Sequence, residues 1–170
     1  MDLGLLVLRV IIGLLLAGHG AQKLFGMFGG YGPEGTGQWL ASIGFRPGKP
    51  MAIVAGLSEL VGGVLLALGF LSPLAAAMVI GVMVVAASTH LANGLWSTAG
   101  GYELPLLYAV LGAVLALTGP GALSVDALLG FDWAAYFGLA AIALGVLGGL
   151  VVVARARAEL SSDVPAEAAA

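Results

Sequence analysis

Five long apolar stretches constrain the fold of this 170-residue chain more than any other feature. A membrane span needs about 20 apolar residues to cross a hydrocarbon core of about 30 Å. Only 9% of the residues are charged and 61% are hydrophobic, whereas soluble domains are about 25% charged and about 45–50% apolar. The sequence therefore predicts an all-α integral membrane protein. The predicted spans cover residues 3–25, 50–71, 73–94, 103–118 and 134–154.

Glycine and proline mark the breaks between these spans. Gly69 and Pro73 bracket the short connection between the second and third spans, which predicts a helical hairpin. The longest connection, residues 26–49, is rich in glycine and predicts a short interfacial or re-entrant helix. After residue 154 the sequence turns polar, which predicts a flexible tail over 155–170. The long connection also holds four aromatic residues expected at a membrane interface, Phe28, Tyr31, Trp39 and Phe45.

Six ionisable side chains lie within the predicted spans or at their ends, where an unpaired charge is costly. With about 100° per residue, those of the first span share one helix face with two glycines. The acidic residue of the second span lies on a stripe of small residues suited to close helix packing. Each of the six is therefore a candidate for a ligand pocket. They are Arg9, His19, Lys23, Glu59, His90 and Glu103.

The alternating direction of the spans predicts the depth of these six residues. Glu59 lies roughly 13 Å inward from the membrane face that carries the long connection, and Arg9 lies deeper still. We therefore expect a polar pocket open to that face, with Arg9 as its floor. The common depth of Lys23 and Glu103 also predicts an ion pair between them. The residues nearest that face are His19, Lys23, His90 and Glu103.

Two interpretations of these charges stay open. The two basic and two acidic residues have balanced signs, which is typical of structural ion pairs that fix helix register. Alternatively, the six side chains line a site for a polar or quinone-like ligand, because packing alone requires fewer polar groups. His19 and His90 lie at matching depth, but no ligand-spacing motif supports haem or metal binding, so we expect neither.

Composition excludes several classes of function. Six Lys and Arg against nine Asp and Glu give a net charge of −3, and the absence of a basic patch argues against nucleic-acid binding. The chain has no cysteine, which excludes disulfides, zinc thiolate sites and iron–sulfur clusters built from this chain.

Charge placement predicts the orientation in the membrane. With five spans, the basic residues outside the hydrocarbon all fall on one side, which the positive-inside rule assigns to the cytoplasm. The N-terminus is then expected outside and the C-terminus inside. These basic residues are Lys23, Arg46, Lys49, Arg155 and Arg157.

Several short motifs over residues 3–130 together resemble the DoxX family of bacterial membrane proteins. The resemblance implies a four-helix transmembrane bundle over 1–130 in the cytoplasmic membrane. The predicted helix in 131–154 goes beyond the usual four helices of the family, and 155–170 is the polar tail. The motifs are Leu8-Arg9-Val10, His19 to Gly26, Gly44-Phe45-Arg46-Pro47, Ser58-Glu59-Leu60-Val61-Gly62-Gly63, His90 with Asn93-Gly94, Tyr102 to Tyr108, Gly119-Pro120-Gly121 and Ser124-Val125-Asp126.

The resemblance also implies redox chemistry. A related subunit belongs to a thiosulfate:quinone oxidoreductase, and some members associate with superoxide dismutase and a sulfurtransferase in oxidative-stress defence. By position, the six candidate residues match the polar motif of the family. We therefore expect a redox-linked subunit in the lipid bilayer that binds a quinone or a small sulfur species and partners an oxidoreductase. A non-enzymatic scaffold, a small transporter and a homo-oligomer stay open as alternatives.

Overall fold

The computed structural model describes residues 1–162, and every regular element in that range is helical. This confirms the predicted all-α class. The α-helices are α1 (Asp2–Phe25), α2 (Gly32–Ser42), α3 (Gly48–Leu68), α4 (Ser72–His90), α5 (Glu103–Thr118), α6 (Val125–Leu128) and α7 (Ala135–Ser162). Four of them, α1, α3, α4 and α7, are long and apolar enough to cross a membrane.

The α5 helix passes from one end of the bundle to the other although it has only 16 residues, or about 24 Å of rise. It begins beside the end of α4, where the backbone N–H of Glu103 donates to Leu95 O at 2.8 Å. Just after α5 ends, the N–H of Ala122 donates to Asp2 Oδ1 at 2.9 Å, at the start of α1. The α5 helix therefore runs from one end of the bundle to the other beside the four longer helices.

Glycines bring the backbones of α1 and α3 into contact. A Cβ atom at Gly13 would lie 2.7 Å from Ala67 N, and one at Gly20 would lie 2.6 Å from Gly56 O. Only glycine fits such an approach, and small residues are the usual means by which transmembrane helices pack closely. We call this contact the glycine seam, defined by Gly13, Gly20, Gly56 and Gly63.

The α4 helix lies against α3, α5 and α7 and supplies much of the core. Its Val79 and Met83 are buried with Leu16 of α1. The outward faces of the outer helices instead expose large apolar side chains, such as Leu14 of α1 and Leu144 of α7. This arrangement suits a bundle whose outer surface contacts lipid.

The long connection contains the predicted short helix, α2. Trp39 on α2 is exposed, as are Phe28 and Tyr31 just before it, which agrees with the exposure expected of interfacial aromatic residues. The same prediction is wrong for Phe45, which is buried against Leu40, Ala52 and Ala156. The reason is that the last turns of α7 cover this part of the connection.

The α7 helix continues to Ser162, beyond the predicted end of the span at residue 154. Residues 155–162 are therefore helical rather than part of a flexible tail. They consist entirely of Ala, Arg, Glu, Leu and Ser, and the first four of these are strong helix formers, so the helix continues where the apolar sequence stops. The remainder of the predicted tail, residues 163–170, lies outside the described residues.

The fold gathers basic residues at one end of the bundle, which we call the basic end. The C-terminal part of α7 lies there, because a Cβ at Gly44 would come 3.1 Å from the Ala156 carbonyl carbon. The opposite end holds Asp2, the α3–α4 turn and the segment after α5. The basic end holds Lys23, Arg46, Lys49 and Arg155.

Reporter fusions test the predicted orientation of the basic end toward the cytoplasm. We expect a green fluorescent protein fused to the C-terminus to fluoresce, and alkaline phosphatase fused there to be inactive. The same reporters fused after Gly130, at the opposite end, should give the reverse pattern, because folding of the phosphatase requires the oxidising periplasm. An active phosphatase at the C-terminus would contradict this orientation.

Candidate functional site

A cavity of about 290 Å³ lies between α1, α3, α4 and α5 at the basic end. Four of the six candidate residues line it: His19 and Lys23 from α1, Glu59 from α3 and His90 from α4. Apolar side chains of α4 and α5 complete the wall. We call this space the polar cavity.

Lys23 and Glu59 form an ion pair in the wall of the polar cavity, with 2.5 Å between Nζ and Oε2. The Glu59 side chain is 3% exposed and that of Lys23 is 27% exposed. A buried carboxylate is strongly unfavourable unless a partner compensates it, and Lys23 supplies that charge. The predicted pairing of Lys23 with Glu103 is therefore wrong, because the glycine seam places α3, not α5, beside the end of α1.

Glu103 does not line the polar cavity as the structure describes it. Its carboxylate instead accepts a hydrogen bond from the backbone N–H of Ser97 at 2.9 Å. It thereby fixes the turn at Ser97–Ala99, which forms part of the cavity rim. Glu103 is thus a positioning residue for the rim.

Arg9 lies at the opposite end, so its predicted place as the floor of the pocket is wrong. Its buried guanidinium donates to Ala67 O at 3.3 Å and to the carbonyl of Leu123. About 14 residues separate it from Lys23, which is roughly 21 Å along the helix. The side chain therefore reaches the connection after α5 instead of the polar cavity.

Asp126 is a fully buried carboxylate at this end of the bundle, and its negative charge favours the charged form of Arg9. It accepts hydrogen bonds from Leu71 N at 2.8 Å, from the N–H and hydroxyl of Ser72 at 3.0 and 2.6 Å, and from Trp133 Nε1 at 2.8 Å. These bonds join the α3–α4 turn to the segment after α5. The sequence analysis missed Asp126 because it considered charges only in spans.

Hydrogen bonds fix the rings of both histidines. His90 Nδ1 donates to Gly100 O at 2.9 Å. His19 Nδ1 lies 3.1 Å from Gln22 Oε1, and Gln22 Nε2 donates to Phe28 O at 3.3 Å, so the amide presents its oxygen to the ring. Because each Nδ1 donates, each Nε2 is the nitrogen that can accept a proton or a hydrogen bond.

Tyr108 is a cavity residue that the sequence analysis did not select. It is 5% exposed, and its ring meets that of His19 edge to face, with 6.0 Å between the centroids. Within residues 1–162 its hydroxyl makes no hydrogen bond to the protein, and the residue lines the polar cavity. The sequence feature that could have pointed to Tyr108 is its place in the same short motif as Glu103. In that motif it resembles an ordinary apolar core residue.

The polar cavity combines groups that suit a neutral polar ligand. The ammonium and carboxylate of Lys23 and Glu59 cancel in charge, and Tyr108 adds a hydroxyl. In residues 1–162 no three His, Asp or Glu side chains cluster closely enough to hold a metal ion. The arrangement can donate hydrogen bonds to carbonyl oxygens and exchange protons through imidazole nitrogens.

A second Lys–Glu pair provides a reference outside the membrane core. Glu34 of α2 binds Lys49, and both side chains are more than half exposed. The hydrogen bond from the Lys49 ammonium lowers the pKa of the Glu34 carboxyl. Because solvent screens this pair, it contributes little to stability.

The two pairs predict different responses to the same substitution. Glu59→Gln leaves Lys23 uncompensated in a buried site, and we expect it to destabilise the protein by about 3–5 kcal/mol. Glu34→Gln should leave stability unchanged. Thermal unfolding of the detergent-solubilised chain measures both variants, and equal melting temperatures would show that Glu59 is not in a buried ionic contact.

Comparison with known proteins identifies relatives of this chain. The family model described as DoxX matches residues 4–92, which include all four charged or histidine residues of the polar cavity. Inner membrane protein YqjF of Escherichia coli K12 is 33% identical over 135 residues, or 78% of this chain and 96% of that protein. Inner membrane protein YphA of the same organism is 30% identical over 131 residues, or 72% of this chain and 87% of that protein.

A third relative is named "Putative oxidoreductase CatD", from Bacillus subtilis 168. It is 43% identical over 68 residues, which cover 40% of this chain and 45% of that protein. No solved structure matches the chain at the significance that these relatives reach.

Proposed function

The chain belongs to the DoxX family and is a multi-pass inner membrane protein, and from this premise we propose that its polar cavity binds the head group of a quinone. In this proposal the protein is the quinone-binding subunit of a membrane oxidoreductase. The main observation behind this proposal is that one cavity is lined by the Lys23–Glu59 pair, two histidines and Tyr108. The relative named as an oxidoreductase supports the redox class.

The charge of the polar cavity supports a neutral ligand over a small sulfur anion. Among the described residues that line the cavity, Lys23 supplies the one ammonium, and Glu59 already compensates its charge. An anion placed there would face a buried carboxylate and would gain little from Lys23. A quinone carries no charge and presents two carbonyl oxygens, so it needs donors rather than an uncompensated cation.

The size and position of the cavity support the same ligand class. Its volume of about 290 Å³ is close to the lower end of small-molecule sites, about 300–1,000 Å³. Met83 and Leu104 line it beside the polar groups, which suits a flat ring with polar edges. The cavity lies at the basic end, where a partner outside the bilayer can approach.

Reduction of a quinone to a quinol takes up two electrons and two protons. In this proposal the ammonium of Lys23 and the hydroxyl of Tyr108 donate hydrogen bonds to the carbonyl oxygens, which favours the build-up of negative charge there. His19 and His90 accept protons at Nε2 and pass them to the reduced oxygens. The two electrons come from a partner oxidoreductase that carries a flavin or iron–sulfur centre.

Quinone titration of the purified full chain tests the proposal. We expect calorimetry to detect saturable binding of decylubiquinone. Tyr108→Phe should weaken that binding about 2–10-fold, the effect of one lost hydrogen bond, without changing the fold. Tyr136→Phe is the matched control, because Tyr136 lies on α7 and is exposed.

A double substitution separates ligand binding from structural pairing. Lys23→Met with Glu59→Leu removes both buried charges together and should keep the protein folded, but it should abolish quinone binding. Unchanged binding in this variant and in Tyr108→Phe would contradict the proposal. A scaffold function would be favoured instead if the purified chain did not bind decylubiquinone and yet carried a stably bound protein partner without any quinone.

A further inference from the structure

Three of the four sides of the polar cavity are closed by packing. The glycine seam closes the side between α1 and α3. Ala55 of α3 packs against the cluster that contains Val82 and Met83 of α4, which closes the second side. The connection from α4 to α5 closes the third side, where His90 Nδ1 donates to Gly100 O at 2.9 Å. The remaining side lies between α1 and α5.

The contact across this remaining side is made by side chains. The rings of His19 and Tyr108 meet there, with 6.0 Å between their centroids. A Cβ at Gly18, which precedes His19 on α1, would meet no atom within 4 Å. The α5 helix therefore does not cover this part of α1, in contrast to α3, which touches the backbone of α1 along the glycine seam.

The side between α1 and α5 faces the outer surface of the bundle. Leu104 lines the cavity and is nevertheless 45% exposed. At about 100° per residue, it lies on α5 between the buried Tyr108 and the outward-facing Leu107. On α1, Leu15 lies one turn from His19 and about 40° around the helix, and it is 55% exposed. The edge of the cavity is therefore continuous with the lipid-facing surfaces of both helices.

We propose that the side between α1 and α5 is a lateral portal, through which the isoprenoid chain of a bound quinone passes into the bilayer. This inference rests on the proposed quinone function. A membrane quinone carries its long apolar chain on the ring, and a cavity of about 290 Å³ is at the lower end of small-molecule sites. The cavity therefore holds the ring, and the chain has to leave it. The portal is bordered by Leu15, Gly18, His19, Leu104 and Leu107.

An apolar groove of about 310 Å³ between α3, α4 and α7 is a poorer route for the chain. It lies on the other side of the α3–α4 contact from the polar cavity, since Ser58 lines the groove and Glu59 lines the cavity. The two spaces share no lining residue as the structure describes them. A chain could reach the groove only by separating α3 from α4.

A space of about 530 Å³ beside α2, which we call the α2 pocket, is also a poorer route. Lys23 lines both this pocket and the polar cavity, so its ion pair with Glu59 stands between the two spaces. Gln22 and Thr36 line the α2 pocket as well, and the Thr36 hydroxyl makes no hydrogen bond within the described residues. An apolar chain there would remove water from that hydroxyl without replacing its hydrogen bonds, which is unfavourable.

Two open glycines of α1 provide a blocking variant and its control. Gly18→Leu places a branched side chain at the portal without a clash, because no atom lies within 4 Å of the added Cβ. Gly4 is equally open but lies near the start of α1, about four turns away. Gly4→Leu therefore matches the substitution without narrowing the portal.

Calorimetry of the purified full chain with two probes separates the ring from its chain. The probes are decylubiquinone and ubiquinone-0, which has the same ring without the chain. We expect Gly18→Leu to weaken decylubiquinone roughly fivefold and to leave ubiquinone-0 unchanged. Gly4→Leu should bind both probes as the parent chain does. Each comparison uses one probe in one detergent, so partition of the probe into micelles does not affect it.

Photo-crosslinking locates the chain directly. A decylubiquinone that carries a diazirine in the middle of its chain would be bound to the full chain and irradiated, and its adducts would be mapped by mass spectrometry. We expect adducts on the α1 segment around Leu15 and on the α5 segment from Leu104 to Leu107. Excess unlabelled decylubiquinone should suppress both.

The outcomes distinguish failure of the portal from failure of quinone binding. Adducts confined to the groove, on the segment of Leu144, or to the α2 pocket, on the segment of Trp39, would overturn the portal. Equal binding of decylubiquinone by Gly18→Leu and Gly4→Leu would overturn it as well. In each case, binding of ubiquinone-0 would leave the quinone function standing. A parent chain that does not bind ubiquinone-0 would instead overturn the proposed function, and the portal with it.

Discussion

The close approach of α1 and α3 is the contact on which the rest of the structure depends. At the glycine seam the two helices meet through backbone atoms, with no room for a Cβ at Gly13 or Gly20. Lipid gives helices no hydrophobic reason to associate, so close packing and polar contacts must do so. The same approach places Lys23 beside Glu59 at one end and Arg9 beside the Ala67 carbonyl at the other.

The two ends of the bundle differ in whether their polar side chains already have hydrogen-bond partners within the protein. At the opposite end, both oxygens of Asp126 are occupied by donors from the protein. Arg9 Nε has no hydrogen-bond partner in the described residues, but it is enclosed by protein and lines none of the described cavities, so the structural interpretation suits this end. At the basic end, the His19 and His90 rings are anchored through Nδ1 alone, and the Tyr108 hydroxyl has no partner in the described residues. This difference supports our proposal of a ligand site at one end.

The helices were predictable from sequence because the bilayer demands long apolar stretches, and glycine and proline end them visibly. The partner of Lys23 was not predictable, because helix depth favours Glu103, which lies at the same level as Lys23. Only the glycine seam shows that α3, with Glu59, lies beside the end of α1. Asp126 was missed because it follows a span, and Tyr108 because an un-ionised side chain resembles core. Patterns along one helix thus reveal faces and depths, whereas the choice of neighbour depends on packing between helices.

Photoaffinity labelling tests most directly whether the polar cavity is the ligand site. An azido-quinone bound to the full chain in native membranes would be irradiated, and its adducts would be mapped by mass spectrometry. We expect adducts on the segments around His19, Glu59 and Tyr108, which line the cavity, and we expect excess unlabelled quinone to suppress them. Adducts confined to the groove between α3, α4 and α7, or adducts that excess quinone does not suppress, would contradict the account.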